Sequence, residues 1–121
     1  MYEDGYENIY NIDISHTITK FMEDRCRTKY PEMKCNYLTF NPLVRIMDVL
    51  DMSEFKTGEF NVVVDKGTLD SILCGDNSEP NAIRMLSEIY RVLAPNGTYI
   101  CITYGDEEHR RKYLVRLYLI F

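Results

Sequence analysis

The stretch Phe60-Asn61-Val62-Val63-Val64-Asp65-Lys66-Gly67-Thr68-Leu69-Asp70-Ser71-Ile72-Leu73-Cys74-Gly75 limits what this chain can fold into more than any other part of it. Phe60 to Val64 is a short apolar run rich in β-branched residues. That pattern predicts a strand buried on both faces, as in a parallel sheet flanked by helices. The run ends at two opposite charges and a glycine. Ligands of open α/β sheets bind outside the carboxyl ends of the strands. Asp65 and Lys66 therefore stand where chemistry is usually done.

The remainder of the chain punctuates itself in the same style. Ile9 to Ile14 reads as a strand ending near Asp13, and Ser15 as the N-cap of a helix running to about Tyr30. Ile18, Phe21, Met22 and Cys26 give that helix an apolar stripe, and Pro31 ends it. Met33 to Leu43 reads as a loop or irregular insertion, with Asn36 to Phe40 as an alternative strand. Val44 to Met47 is the next core strand, with Asp48 at its tip. Asp51 to Phe55 suits a helical turn, and Lys56 to Glu59 a surface loop.

Beyond the Phe60 strand, Thr68 to Cys74 should form a short helix. A longer helix runs from about Asn81 to Leu93, with Pro80 at its start. Its inner face is Ala82, Leu86, Ile89 and Leu93, supported by Ile83 and Tyr90. Pro95-Asn96-Gly97 is a turn in which Gly97 is free to take positive φ. Thr98 to Tyr104 is another strand, and Gly105 to Glu108 opens a final helix with an acidic first turn. The order is strand, helix, strand, strand, helix, helix, strand, helix. Crossovers of this length predict parallel strands and a three-layer α/β sheet.

Composition narrows the class. With 121 residues the chain is one domain, short for a complete doubly wound enzyme. The net charge of −5 argues against a nucleic-acid backbone as partner. His109, Arg110, Arg111, Lys112 and Arg116 cluster, but as the solvated face of one helix. Cys26, Cys35, Cys74 and Cys101 lack Cys-x-x-Cys or zinc-finger spacing, as in a reduced intracellular protein, and imply no metal. Met1 to Gly5 is acidic, unlike a signal peptide, and no apolar run approaches a membrane span. A soluble, cytoplasmic protein is expected.

Three predicted strands end in acids: Asp13, Asp48 and Asp65. An acid at a strand tip can accept hydrogen bonds from the two hydroxyls of a ribose. A second acid, at the next tip, can accept from an adenine amino group. Each aspartate alone is equally what the polar end of any strand looks like; three at corresponding positions point to a nucleotide-like ligand. Lys66 suits a ligand carboxylate or phosphate, or else an ion pair with Asp65 or Asp70. Asp70 is placed to brace the loop. Neither His16 nor His109 has a nucleophile partner, so no acid–base role falls to them.

The hexamer Asp65-Lys66-Gly67-Thr68-Leu69-Asp70, followed by Ile72-Leu73, resembles the motif after the fourth strand in a group of class I S-adenosylmethionine-dependent methyltransferases. This group includes lysine methyltransferases of elongation factor 1-alpha. Asn11-Ile12-Asp13-Ile14-Ser15 resembles their second-strand end and Met47-Asp48-Val49 their third. Tyr90 to Gly97 resembles the helix and turn before their fifth strand. The resemblance covers about Gly5 to Tyr113, apart from the insertion around Cys35 to Leu43.

It implies a Rossmann-like methyltransferase fold, mostly parallel, with S-adenosyl-L-methionine as cofactor and a protein acceptor such as a translation elongation factor. Asp13 and Ile14 would hold the cofactor's ribose region, Asp48 and Val49 would contact its adenine, and Lys66 would sit near its methionine end, with Asp65 also among the cofactor-binding residues. The family's first strand and glycine-rich turn have no counterpart before Asp13, and its later strands none after Tyr113. The chain is therefore expected to be a partial methyltransferase domain over residues 1–121, truncated at both ends, its own activity left open. A second chain completing the sheet, a non-catalytic binding module or partner subunit, and a fragment of another nucleotide-binding enzyme such as a dehydrogenase are the competing readings.

Overall fold

The computed structural model describes residues 2–6, 8–29 and 44–120. The expected insertion, with Cys35 and the alternative strand at Asn36 to Phe40, lies outside the described residues. Two compact units, Met1–Val49 and Leu50–Phe121, are described in turn.

In the first unit a short 3-10 turn, Tyr2–Asp4, precedes β1 (Asn11–Asp13), α1 (His16–Lys29) and β2 (Val44–Ile46). β1 and β2 pair in parallel, with Asn11 opposite Val44 and Asp13 opposite Ile46. The Met47 amide extends the ladder by donating to the Asp13 carbonyl at 3.1 Å. Ser15 caps α1 as expected. Its Oγ accepts from the Ile18 amide at 3.3 Å, satisfying one of the amides that a helix start leaves without a partner.

The apolar stripe of α1 is a correction. Met22 and Cys26 are half-buried, but Ile18 and Phe21 are exposed, and Thr19 is the buried residue of the helix. Two three-residue strands cover a narrower strip than a full amphipathic face needs. Thr19 suits the centre of that strip because its hydroxyl is satisfied locally, by the Ser15 and His16 carbonyls at 3.0 Å each.

The second unit contains β3 (Phe60–Lys66), α2 (Thr68–Leu73), α3 (Ser78–Val92), β4 (Leu93–Ile102) and α4 (Glu107–Ile120). β3 and β4 are parallel, in register from Val62 opposite Thr98 to Lys66 opposite Ile102. α3 buries Ala82, Met85, Leu86, Ile89 and Val92 against Leu69, Met52 and Phe55, which forms the core. Met85 and Val92 complete the expected face. Leu93 has extended φ and ψ and already belongs to β4, while Tyr90 is exposed.

The opposite, polar stripe of α3 holds the chain between Leu50 and Gly58. Arg84 Nε donates to the Leu50 carbonyl at 2.8 Å, and the Met52 amide donates to Glu88 at 2.7 Å. Arg91 donates to the Met52 and Phe55 carbonyls, both at 2.8 Å. Four backbone groups of three residues, Leu50, Met52 and Phe55, are thus satisfied without a regular element, which is why the segment forms turns and no helix.

Two further expectations change. The residue with positive φ in the Pro95–Gly97 turn is Asn96, at 64°. Gly97 is needed for space: a Cβ there would sit 2.8 Å from the Ala94 carbonyl oxygen and 3.2 Å from that of Asn61. The turn is an irregularity within β4, since Phe60 pairs with Leu93 but Val62 with Thr98. Second, β3 is covered on one face. Val63, Asp65, Tyr99 and Cys101 turn toward the helices, whereas Val62 and Val64 remain 47% and 45% exposed. A two-stranded sheet with helices packed on one side alternates in exposure, whatever its composition. No helix among the described residues is long and apolar enough to cross a membrane.

Candidate functional site

In the first unit the parallel register brings four of the expected cofactor residues to one end of the β1–β2 pair. Asp13 closes β1 and is followed by Ile14; Asp48 and Val49 follow β2 by two and three positions. The Asp13 carboxylate accepts from the Ser15 amide at 2.8 Å through Oδ1. This local turn orients the side chain at the strand end and leaves Oδ2 for a further donor. Ile14 is an exposed apolar residue beside it, Asp48 is exposed and Val49 half-buried. An acceptor beside an apolar side chain is the combination that a ribose and a purine ring use.

In the second unit the ends of β3 and β4 are built differently. Asp65, 5% exposed, turns inward. It accepts from the Thr68 and Leu69 amides at 2.8 and 3.2 Å and from the Tyr99 hydroxyl at 3.0 Å. The carboxylate thereby caps α2, whose preceding residue Gly67 has a φ of 78°. Gly67 is in turn fixed by its amide, which donates to the Ile102 carbonyl at 2.9 Å. Lys66, the next residue along β3, points to the opposite face and is exposed. Asp65 and Asp70 are both engaged with other donors, so Lys66 takes its charge to solvent at the strand end.

Asp70 braces the loop, as its position implied. It accepts from Thr103 Oγ1, from the Tyr104 amide at 2.8 Å and from Arg110 Nη2 at 2.7 Å. Those bonds, the Thr103 hydroxyl first, hold its pKa down to about 2. Arg110 is the residue that sequence reasoning missed. Its neighbours His109 and Arg111 are solvated: His109 pairs with Asp106 and Arg111 lies near Glu107, all exposed. Its distinction is a partner forty positions away, which no local pattern shows.

Burial raises the pKa of both Tyr99 and Cys101, with the nearby Asp65 charge adding to it, so neither is a ready nucleophile. Among the described residues Cys26, Cys74 and Cys101 form no disulfide. Among the described residues no group of His, Cys, Asp and Glu side chains could hold a metal ion. Each unit by itself carries polar groups at the carboxyl ends of its parallel strands.

A family model described as "Methyltransferase domain" matches residues 1–101, a span that includes β1 to β3 and all but the last residue of β4. The chain belongs to this family, the class I S-adenosylmethionine-dependent methyltransferases, and its strand-and-helix order with parallel pairs is a partial Rossmann-like methyltransferase fold. It is 39% identical over 114 residues to the eEF1A lysine and N-terminal methyltransferase of Bos taurus, covering 93% of this chain and 15% of that protein. The Danio rerio protein of the same name is 36% identical over 107 residues, covering 88% and 14%. EEF1A lysine methyltransferase 4 of Mus musculus is 29% identical over 114 residues, covering 88% of this chain and 40% of its own length. The chain thus spans about 15% of the first of these relatives. No solved structure matches the chain significantly.

Proposed function

We propose that this protein is a protein-lysine N-methyltransferase that uses S-adenosyl-L-methionine, with eEF1A as its acceptor, and that residues 1–121 act as one partial methyltransferase domain. The observation that carries this reading is the 39% identity, across 93% of the chain, to a protein whose name states that activity. The strand ends support it. Asp13, with Oδ2 directed to a ribose hydroxyl, and Ile14 beside it suit the sugar. Asp48 and Val49 suit the adenine edge and face. Lys66 suits the carboxylate of the methionine portion, while Asp65 holds the turn on which Lys66 stands.

When bound, S-adenosyl-L-methionine supplies a methyl group on a sulfonium sulfur, already activated for displacement. The protein's own residues then have to bind, orient and hold the acceptor amine in line, with no dedicated acid or base. An acceptor belonging to the translation machinery goes with a cytoplasmic location. The β3–β4 pair is a sheet of only two strands among the described residues, which supports a second chain completing the sheet; light scattering would report it as a dimer or complex.

Two measurements test the proposal. Calorimetric titration with S-adenosylhomocysteine should show saturable binding at one site, and labelled methyl from S-adenosyl-L-methionine should appear on lysine in purified eEF1A. Binding without transfer to any protein would leave the binding-module reading; absence of both would remove the methyltransferase reading.

A further inference from the structure

The loop that follows β4 is held by several hydrogen bonds around a fully exposed side chain. Thr103 Oγ1 donates to Asp70 and accepts from the Gly105 amide at 3.1 Å and from Arg110 Nε at 2.9 Å. Between them the Tyr104 amide donates to Asp70 Oδ2 at 2.8 Å. The Arg110 guanidinium lies over Gly105, where a Cβ would come within 2.1 Å of its central carbon. Three consecutive backbone positions are therefore fixed by one ion pair. The Tyr104 ring that they carry is fully exposed.

Its place is also set. Ile102 is the last residue of β4 and the register partner of Lys66, so Tyr104, two residues further on, stands at the same carboxyl end of the sheet as Lys66. An aromatic ring on a pre-ordered backbone loses little further entropy when a partner covers it, which is how contact residues are built. A lysine side chain presents an apolar stem and a cationic head, and a tyrosine face accepts both.

We propose that Tyr104 receives the acceptor lysine, its ring packing against the methylene stem beside the strand end marked by Lys66, with Asp70 and Arg110 as positioning residues that hold it there. The inference rests on the methyltransferase reading and adds a residue that contacts the acceptor.

The test is steady-state methylation of eEF1A by the full chain and by Tyr104→Phe and Tyr104→Ala, alongside S-adenosylhomocysteine affinity and thermal melting. Tyr104→Phe should behave as the unaltered protein. Tyr104→Ala should raise KM for eEF1A about tenfold, with cofactor affinity and melting temperature unmoved. The chain has no tryptophan, so Tyr104→Trp adds a single reporter whose emission should shift on mixing with eEF1A. An unmoved KM with a silent Tyr104→Trp emission overturns this proposal alone, and so does a lower melting temperature in Tyr104→Ala, which would mean that the ring packs within the protein. Absence of transfer by the unaltered chain overturns this proposal together with the enzyme reading, and absence of S-adenosylhomocysteine binding as well removes the methyltransferase reading altogether.

Discussion

Arg110 and Asp70 stand forty residues apart, yet Nη2 of one reaches Oδ1 of the other at 2.7 Å, with both side chains only 17% exposed. The pair ties α4 to α2 and shapes the loop between β4 and α4. Asp70 has its pKa lowered from 3.8 to about 2. A depressed folded-state pKa contributes stability that is fully present above the unfolded value and lost as pH falls through the folded one. The difference in unfolding free energy between the native chain and Asp70→Asn should therefore be constant from neutral pH down to about 4 and shrink between there and about 2. Urea unfolding at a series of pH values measures it; a difference that persists unchanged at the lowest pH would place the stabilisation elsewhere.

Gly97 faces backbone atoms on two sides, the Ala94 and Asn61 carbonyl oxygens. Neither can swing away as a side-chain tip can. Gly97→Ala should destabilise the protein by about 1–3 kcal/mol, the usual cost of forcing atoms into a packed site. The midpoint of urea unfolding would fall at unchanged slope. Gly58, with only a 3.9 Å contact to Ala94 Cα, has a φ of 73°, so Gly58→Ala costs strain without a clash and serves as the comparison.

Asp65 is buried and accepts from two backbone amides and a phenol. Asparagine keeps the shape but turns an NH2 group toward one set of donors. Asp65→Asn should cost about 2 kcal/mol through the donors left unsatisfied. Tyr99→Phe removes one of those donors together with its hydroxyl and should cost less. Hydrogen exchange should show Thr68 and Leu69 amides losing protection in Asp65→Asn before those of α3 do.

Asp13 uses one carboxylate oxygen, Oδ1, in a local bond from the Ser15 amide. Asp13→Asn retains an acceptor for the Ser15 amide but gives up the charge. On the proposed reading it should weaken S-adenosylhomocysteine binding about tenfold, as expected for losing a charged hydrogen bond, while the melting temperature stays the same. Equal affinity by calorimetry would remove Asp13 from the cofactor site.

The order of elements was legible in the amino acids because each one depends on neighbours a few positions away. Ser15 beside Asp13, the three- and four-residue steps from Ala82 to Ile89, and the β-branched run stopping at Asp65 specify caps, helices and strands locally. The acids at strand ends were legible for the same reason. What the residue order could not show is which side of an element is covered, and by what. Val62 and Val64 read as doubly buried, yet the helices cover one face of their sheet. Ile18 and Phe21 read as core, yet the strands beside α1 are too short to cover them. Arg110 read as one more solvated cation until the fold set Asp70 against it. Such outcomes depend on contacts between residues far apart in the chain, as with Asp65 and Tyr99, 34 positions apart, and Asp70 and Arg110, 40 apart; their energies are set by three-dimensional packing and leave no periodic trace. The sequence by itself determined the elements, their order and the family motif at Asp65–Asp70. Tertiary structure alone decided that Asp65 serves the turn, that Lys66 faces solvent, and that Tyr104 is held outward beside it.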